Sequence, residues 1–180
     1  ALADTVSKLT LFQRTAQWIL PLANPAYSEA EKAMYNTSPE RLQQSYDFWS
    51  ARFVDTFARA VIGDQDELRK IEDACRTNLE ENVADPDLRR RLTPNYRAAC
   101  KRLIMSDTFY SAMQKPSVAL VTDGIDRIEA GGVRTKDGVL HELDVLVLAT
   151  GFDGHAFLRP MDVVGESGRR LADAWAQANE

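Results

Sequence analysis

Apolar and polar positions follow three successive rhythms along this 180-residue chain. Near the start, "ALADTV" places Leu2 and Val6 on one face and predicts the last turn or two of a helix. No capping residue precedes it, so the sequence points to a chain cut from something longer. "KLTLFQRT" (residues 8–15) is β-rich at its beginning and polar at its end, which predicts a short strand delivering Gln13, Arg14 and Thr15 to its C-terminal edge. "WILPLANPAY" carries two prolines and favours extended or loop backbone. The rhythm turns helical at Ser28, where Ser28 and Glu31 have the spacing of a capping box. A long helix is predicted from Ser38 as N-cap and Pro39 at the first position, with a stripe of Leu42, Tyr46, Trp49, Phe53, Phe57 and Val61 read as core, and Gly63 as its stop. Asp64 caps the next helix, with Glu67 closing a box and Leu68, Ile71, Cys75 and Leu79 facing inward. Asp85 and Pro86 open a short helix that Thr93-Pro94 ends.

After about Tyr96 the chain becomes strand-rich. Strands are predicted at Val118 to Val121, around Ile125 and Ile128, and at Val133 to Thr135 and Val139 to His141, the last two flanking a Lys-Asp-Gly turn. "DVLVLAT" (residues 144–150) is almost wholly apolar, which predicts a strand buried on both faces at the centre of a parallel or mixed sheet. "GRRLADAWAQ" reads as a helix start with Leu171 and Trp175 on one face. A strand, a helical block of about 65 residues and then a run of strands are best explained by an α/β domain interrupted by a helical insertion.

Composition narrows the class. A hydrophobic share of 44% and a charged share of 27% are those of an ordinary globular protein, and a net charge of -5 argues against a general nucleic-acid binder. Cys75 and Cys100 are too few for a disulfide framework, and neither they nor His141 and His155 have metal-site spacing. No apolar run is long enough to span a bilayer, and a reducing, cytoplasmic setting is the expected one.

Three segments could carry chemistry. An Arg at the end of the second strand of a dinucleotide fold suits the 2′-phosphate of NADP, so Arg14 and Thr15 are candidates, although spacing alone favours an ordinary exposed strand end. Ala149, Thr150 and Gly151 put small residues where the backbone must turn sharply. Arg89, Arg90 and Arg91 read as a solvated helix end that suits the helix dipole. His155 follows the Ala-Thr-Gly turn and could act as a base, but with no Ser, Cys or carboxylate partner identifiable the bland reading is the stronger.

"LTLFQRTAQWILP", "YSEAEKAMY", "CKRLIMSDTFY", "PSVALVTDGIDRIEAGGVRTKDGVLHELDVLVLATGFD" and "FLRPMDVVGESGRRLADAW", in this order, resemble the flavin-dependent monooxygenases of the Baeyer–Villiger type. The resemblance implies a partial Rossmann-like NADP-binding domain, three-layered with a mixed sheet. Residues 1–27 would form its first part, 28–97 the helical insertion, 98–150 the remainder and 151–180 a return toward an FAD domain. Neither glycine fingerprint of the family, nor its long motif with His and Trp, is in the sequence. The resemblance further implies that NADPH reduces FAD, that reduced flavin captures O2 as a C4a-peroxide, and that a ketone becomes an ester or lactone. Arg14, Thr15 and Lys101 match the family's 2′-phosphate contacts, and Arg102 matches its active-site arginine. A guanidinium stays charged at working pH and can stabilise an anionic oxygen without protonating it. An extended backbone at Lys101 and Arg102 would send the two side chains to opposite sides. Asp107 ranks low as a cofactor-side residue. The alternatives are an N-hydroxylating or other heteroatom-oxidising flavin monooxygenase and a non-catalytic helical interaction module.

Overall fold

The computed structural model describes residues 2–151 and 161–178. After a 3-10 turn at Leu2–Asp4, strand β1 (Leu9–Phe12) leads through an irregular loop to the short strand β2 (Ile19–Leu20). Helices then fill the chain: α1 (Glu29–Thr37), α2 (Pro39–Phe53), a π-helical turn (Val54–Ala58), α3 (Arg59–Val61), α4 (Gln65–Asn82) and α5 (Pro86–Leu92). Strand β3 (Ile104–Met105), helix α6 (Phe109–Met113), strands β4 (Val118–Val121), β5 (Ile125–Glu129), β6 (Gly132–Thr135) and β7 (Leu140–Glu142), and helix α7 (Leu171–Ala178) complete it.

The strands on either side of the helices find each other across the whole block. β1 runs parallel to β4, with Leu9 opposite Val118 and Phe12 opposite Val121, and β2 runs parallel to β3, with Ile19 opposite Ile104. Parallel pairing needs a crossover, and here the helical block supplies it. β5, β6 and β7 form a separate three-stranded sheet whose β5–β6 pair is antiparallel, and Gly138 (φ +89°) sits in the turn between β6 and β7. The fold is an α/β, Rossmann-like fragment, its strands distributed over two parallel ladders and one small sheet.

The local signals act as the sequence indicates. Ser28 and Glu31 form a reciprocal capping box, Asp64 accepts from the N–H groups of Asp66 and Glu67, and Asp85 from those of Asp87 and Leu88. Glu67 does not close a box at Asp64; its carboxylate accepts from Lys70 Nζ at 2.6 Å, one turn along the same helix. The inward face of α4 is anchored by buried Leu68, Cys75 and Leu79. Leu79, Val83, Leu88 and Leu92 pack with Ile19, Tyr110, Met113 and Leu120 in one core cluster; Leu68, Cys75 and Ala60 pack with Trp18 and Ala98 in another. Buried Asn78 ties α4 to β2 by donating to the Ile19 carbonyl at 3.1 Å.

Three expectations are corrected. The aromatic stripe of α2 is not core: Tyr46 is 68% and Trp49 56% exposed, and Leu42 and Phe53 are exposed with them. Periodicity puts these side chains on one face, but the core clusters of the described residues lie against α4, α5 and α6 instead. Residues 144–150 form no strand, and Val147 is 72% exposed. A buried strand needs neighbours for its N–H and C=O groups, and none pairs with this run among the described residues. The arginine row is more than a solvated end: Arg89 donates to the Val83 carbonyl at 2.9 Å and Arg91 to the Leu120 carbonyl at 2.8 Å, while exposed Arg90 pairs with Asp87. The backbone divides into two compact units, residues 1–141 and 142–180.

Candidate functional site

β1 ends at Phe12, and its last ladder bond runs from Gln13 N to the Val121 carbonyl at 2.8 Å. Pairing stops there, and Arg14 and Thr15 form a bend at the C-terminal edge of the β1–β4 ladder. Arg14 is exposed and Thr15 half-buried. Gln13 Nε2 is buried and has no hydrogen-bond partner among the described residues. An unpartnered buried amide donor is costly, so this edge holds a donor without an acceptor next to a cation.

The second cation-bearing segment comes from the far side of the helical block. Lys101 lies in a bend, Arg102 follows it outside any ladder, and β3 begins only at Ile104. The expected extended backbone is therefore present from Ile104 onward and not at Lys101. The two neighbours nonetheless have unlike surroundings. Lys101 Nζ stands 4.6 Å from the centre of the Tyr96 ring, the geometry of a cation–π contact. Arg102 is exposed and has no hydrogen-bond, ion-pair or ring partner among the described residues.

The β1–β2 loop and the Lys101 segment are joined by direct contacts. Trp18 Nε1 donates to the Tyr96 carbonyl at 2.8 Å, the Tyr96 hydroxyl donates to Gln17 Oε1 at 2.9 Å, and the two rings meet edge to face. Ile104 N donates to the Trp18 carbonyl at 3.2 Å. The carboxylate of Glu72, on α4 and only 4% exposed, accepts from Arg97 Nε at 2.7 Å and from the backbone N–H of Ala98 at 3.0 Å. Burial alone pushes the Glu72 pKa up, but the bonds from Arg97 and Ala98 and the charges of Arg97 and Arg76 outweigh it, and the group lies below the ordinary glutamate value. Ala99 follows with φ +66°, a left-handed conformation rare outside glycine.

Neither Arg14 nor Lys101 has a carboxylate partner among the described residues, whereas most arginines of the helical block are paired with acids or carbonyls. The fold thus places two cations without carboxylate partners among the described residues, a hydroxyl and a buried amide donor on two segments joined by the Trp18–Tyr96 contacts. That donor set suits a multiply charged oxyanion. Asp107 is exposed in the turn before α6, where Ser106 Oγ accepts from the N–H groups of Thr108 and Phe109. Ala149, Thr150 and Gly151 are exposed, with Gly151 at φ +87°, in the second unit. His155 lies outside the described residues. No group of three His, Cys, Asp or Glu could hold a metal ion among the described residues, and no helix among them is long and apolar enough to cross a membrane.

Sequence reasoning did not single out Gln17, Trp18, Tyr96 or Glu72. For Glu72 a signal existed: it falls at helical spacing within the Leu68–Cys75–Leu79 stripe, where an acid must have a buried partner. Tyr96 and Trp18 offered none, because their link spans 78 residues.

No protein-family model matches the chain. It is 48% identical over 174 residues to an uncharacterized monooxygenase of Mycobacterium tuberculosis, covering 97% of this chain and 35% of that protein. It is 36% identical over 174 residues to a Baeyer–Villiger monooxygenase of Streptomyces coelicolor, covering 94% of this chain and 33% of that protein. Among solved structures it is similar to the cyclohexanone monooxygenase of Rhodococcus sp. Phi1 bound to NADP+, with a TM-score of 0.71 and 28% identity, covering 98% of this chain and 40% of the other. A cyclohexanone-bound cyclohexanone monooxygenase in its rotated conformation matches with a TM-score of 0.75 and 26% identity, covering 97% of this chain and 41% of the other. The chain thus spans 35% and 33% of the length of these two curated relatives.

Proposed function

Because the chain belongs, over the third of their length that it spans, with the flavin-dependent monooxygenases of the Baeyer–Villiger type, we propose that the protein carrying it is an FAD- and NADPH-dependent monooxygenase. It inserts one oxygen atom of O2 into a ketone and yields an ester or lactone. Residues 1–27 and 98–150 serve as the NADP-binding part, 28–97 as its helical insertion and 151–180 as the return toward the FAD domain. The protein works in the cytoplasm, without nucleic acid or membrane as partner.

The observation that supports this reading is that Arg14 and Lys101, neither with a carboxylate partner among the described residues, lie on two segments joined through Trp18 and Tyr96. In their roles, Arg14 and Lys101 bind the 2′-phosphate of NADPH, the Thr15 hydroxyl donates to it, and Gln13 Nε2 supplies a further donor at the same edge. NADPH supplies reducing equivalents and FAD supplies the oxygen-activating chemistry when both are bound. Arg102 adjoins that chemistry as a fixed positive charge for oxygen that becomes anionic. The Ala149–Thr150–Gly151 segment offers little side-chain bulk to a cofactor, and the positive φ of Gly151 is one that glycine adopts without strain.

The test uses the full-length protein with a panel of ketones and, in parallel, amines. Ketone-dependent NADPH oxidation that forms an ester is the expected result. Arg102→Ala should go on oxidising NADPH while ester formation falls by a factor of about 100 or more, the range seen when a charge-stabilising donor is removed. Ester formation that survives in Arg102→Ala would remove Arg102 from the site, and turnover of amines alone would replace Baeyer–Villiger chemistry with N-hydroxylation.

A further inference from the structure

Lys101 lies in a bend outside any strand, and its closest described partner is the Tyr96 ring. Tyr96 is held at three points by the loop that follows Arg14 and Thr15: its backbone carbonyl accepts from Trp18 Nε1, its hydroxyl donates to Gln17, and its ring meets the indole edge to face. The ammonium of Lys101 lies over the face of that ring. The chain between them bends sharply, with Ala99 in a left-handed conformation. Such backbone persists only where its surroundings over-determine it, and the buried Glu72 carboxylate does so by gripping Arg97 and the N–H of Ala98. One aromatic ring therefore sets the position of a cation from the second segment relative to the loop carrying the first.

We propose that Tyr96 is a specificity-determining positioning residue, holding Lys101 against the loop that follows Arg14 so that the two cations take a phosphate monoester dianion on a ribose, with Glu72 as the anchor of the bend. The proposal rests on the assignment of Lys101 to the NADPH phosphate. A ring that acts only through Lys101 should matter for NADPH and not for NADH, which lacks the phosphate. A ring that is merely core packing should affect both alike.

The experiment measures kcat and KM of the full-length protein with NADPH and with NADH for Lys101→Ala, Tyr96→Leu, Tyr96→Phe, Glu72→Gln and the double variant Tyr96→Leu/Lys101→Ala. Tyr96→Leu is expected to raise KM for NADPH about two- to fivefold, the size of an exposed cation–π contact, with KM for NADH and both kcat values unchanged. Tyr96→Phe keeps the ring and should recover most of that loss. In the Lys101→Ala background Tyr96→Leu should have no further effect. Glu72→Gln, which leaves the ring intact, should lower the NADPH preference in the same direction and serves where Tyr96→Leu does not fold. Equal changes with both nucleotides, or an undiminished Tyr96→Leu effect in the double variant, overturn the proposal. If Lys101→Ala leaves the nucleotide preference unchanged, the phosphate assignment falls and the proposal with it. If Lys101→Ala lowers the preference while Tyr96→Leu and Glu72→Gln do not, the assignment stands and the proposal alone is overturned.

Discussion

Glu72 shows what a single side chain does to the local stability of this protein. Its carboxylate is buried against one N–H and two guanidinium groups, so its loss leaves the buried N–H of Ala98 without an acceptor. An unsatisfied buried donor costs about 1–3 kcal/mol, and Glu72→Ala is expected to lower the unfolding free energy by that amount at pH 7 in urea titrations. The sign of the pH effect follows from its depressed pKa. The stabilisation is complete above the unfolded-state value near 4.5 and is lost as pH falls through the lower folded value. The gap between wild type and Glu72→Ala should therefore narrow below about pH 4; a gap that stays constant down to pH 3 would assign the effect to packing instead of charge. The two cysteines contrast in the same way. Burial pushes the Cys75 thiol up to about 12, and its side chain is 2% exposed, while Cys100 is exposed. Thiolate is the reactive form, so a disulfide reagent at pH 8 should titrate Cys100 in the native protein and Cys75 only after unfolding. Rapid titration of both thiols in the native protein would show that α4 opens readily.

At the scale of elements, the clearest stop is Gly63, at φ +106° between α3 and α4. A Cβ there would meet nothing within 4 Å, so the cost of Gly63→Ala is the backbone conformation alone. That cost is about 1–2 kcal/mol, and it should appear as a lower urea midpoint with an unchanged slope. Signals of this kind were legible in the sequence because they are local: Ser28 with Glu31, Asp64, Asp85 with Pro86, and the Lys-Asp-Gly turn all act within a few residues. The α4 stripe was legible too: Leu79 packs in one core cluster and Leu68 and Cys75 in the other, so the face that the spacing defines is the buried one. The α2 stripe and the run at 144–150 were misread for a common reason. Periodicity reports which residues share a face, and an apolar run reports a preference for burial; neither states what the face or the run meets. The candidate site divides along the same line. Arg14, Thr15, Lys101 and Arg102 could be named from short segments, whereas the Tyr96 platform depends on contacts between residues about 80 positions apart, which no local pattern encodes.

For the whole molecule, the unusual quantity is exposed apolar surface. In the first unit, Leu42, Tyr46, Trp49 and Phe53 line a shallow groove along α2, with Phe48 and Val54 exposed beside them. In the second, Val145, Val147 and Leu148 are exposed in succession. Contiguous apolar patches beyond a few hundred Å² are uncommon on monomeric soluble proteins, and burying even part of one returns about 25 cal/mol per Å². A chain of these 180 residues is therefore expected to self-associate at micromolar concentration, with sedimentation coefficients that rise with loading. Because the driving force is apolar, sulfate should strengthen the association, whereas association through the chain's charges would weaken with salt. Trp49→Glu combined with Phe53→Glu removes the centre of the α2 groove without touching either core cluster. That variant should keep the far-ultraviolet circular dichroism of the wild type and shift markedly toward monomer. A wild-type chain that stays monomeric at about 100 times that concentration would mean the patches are too small to bind, and an unchanged association in the double variant would move the contact to residues 145–148.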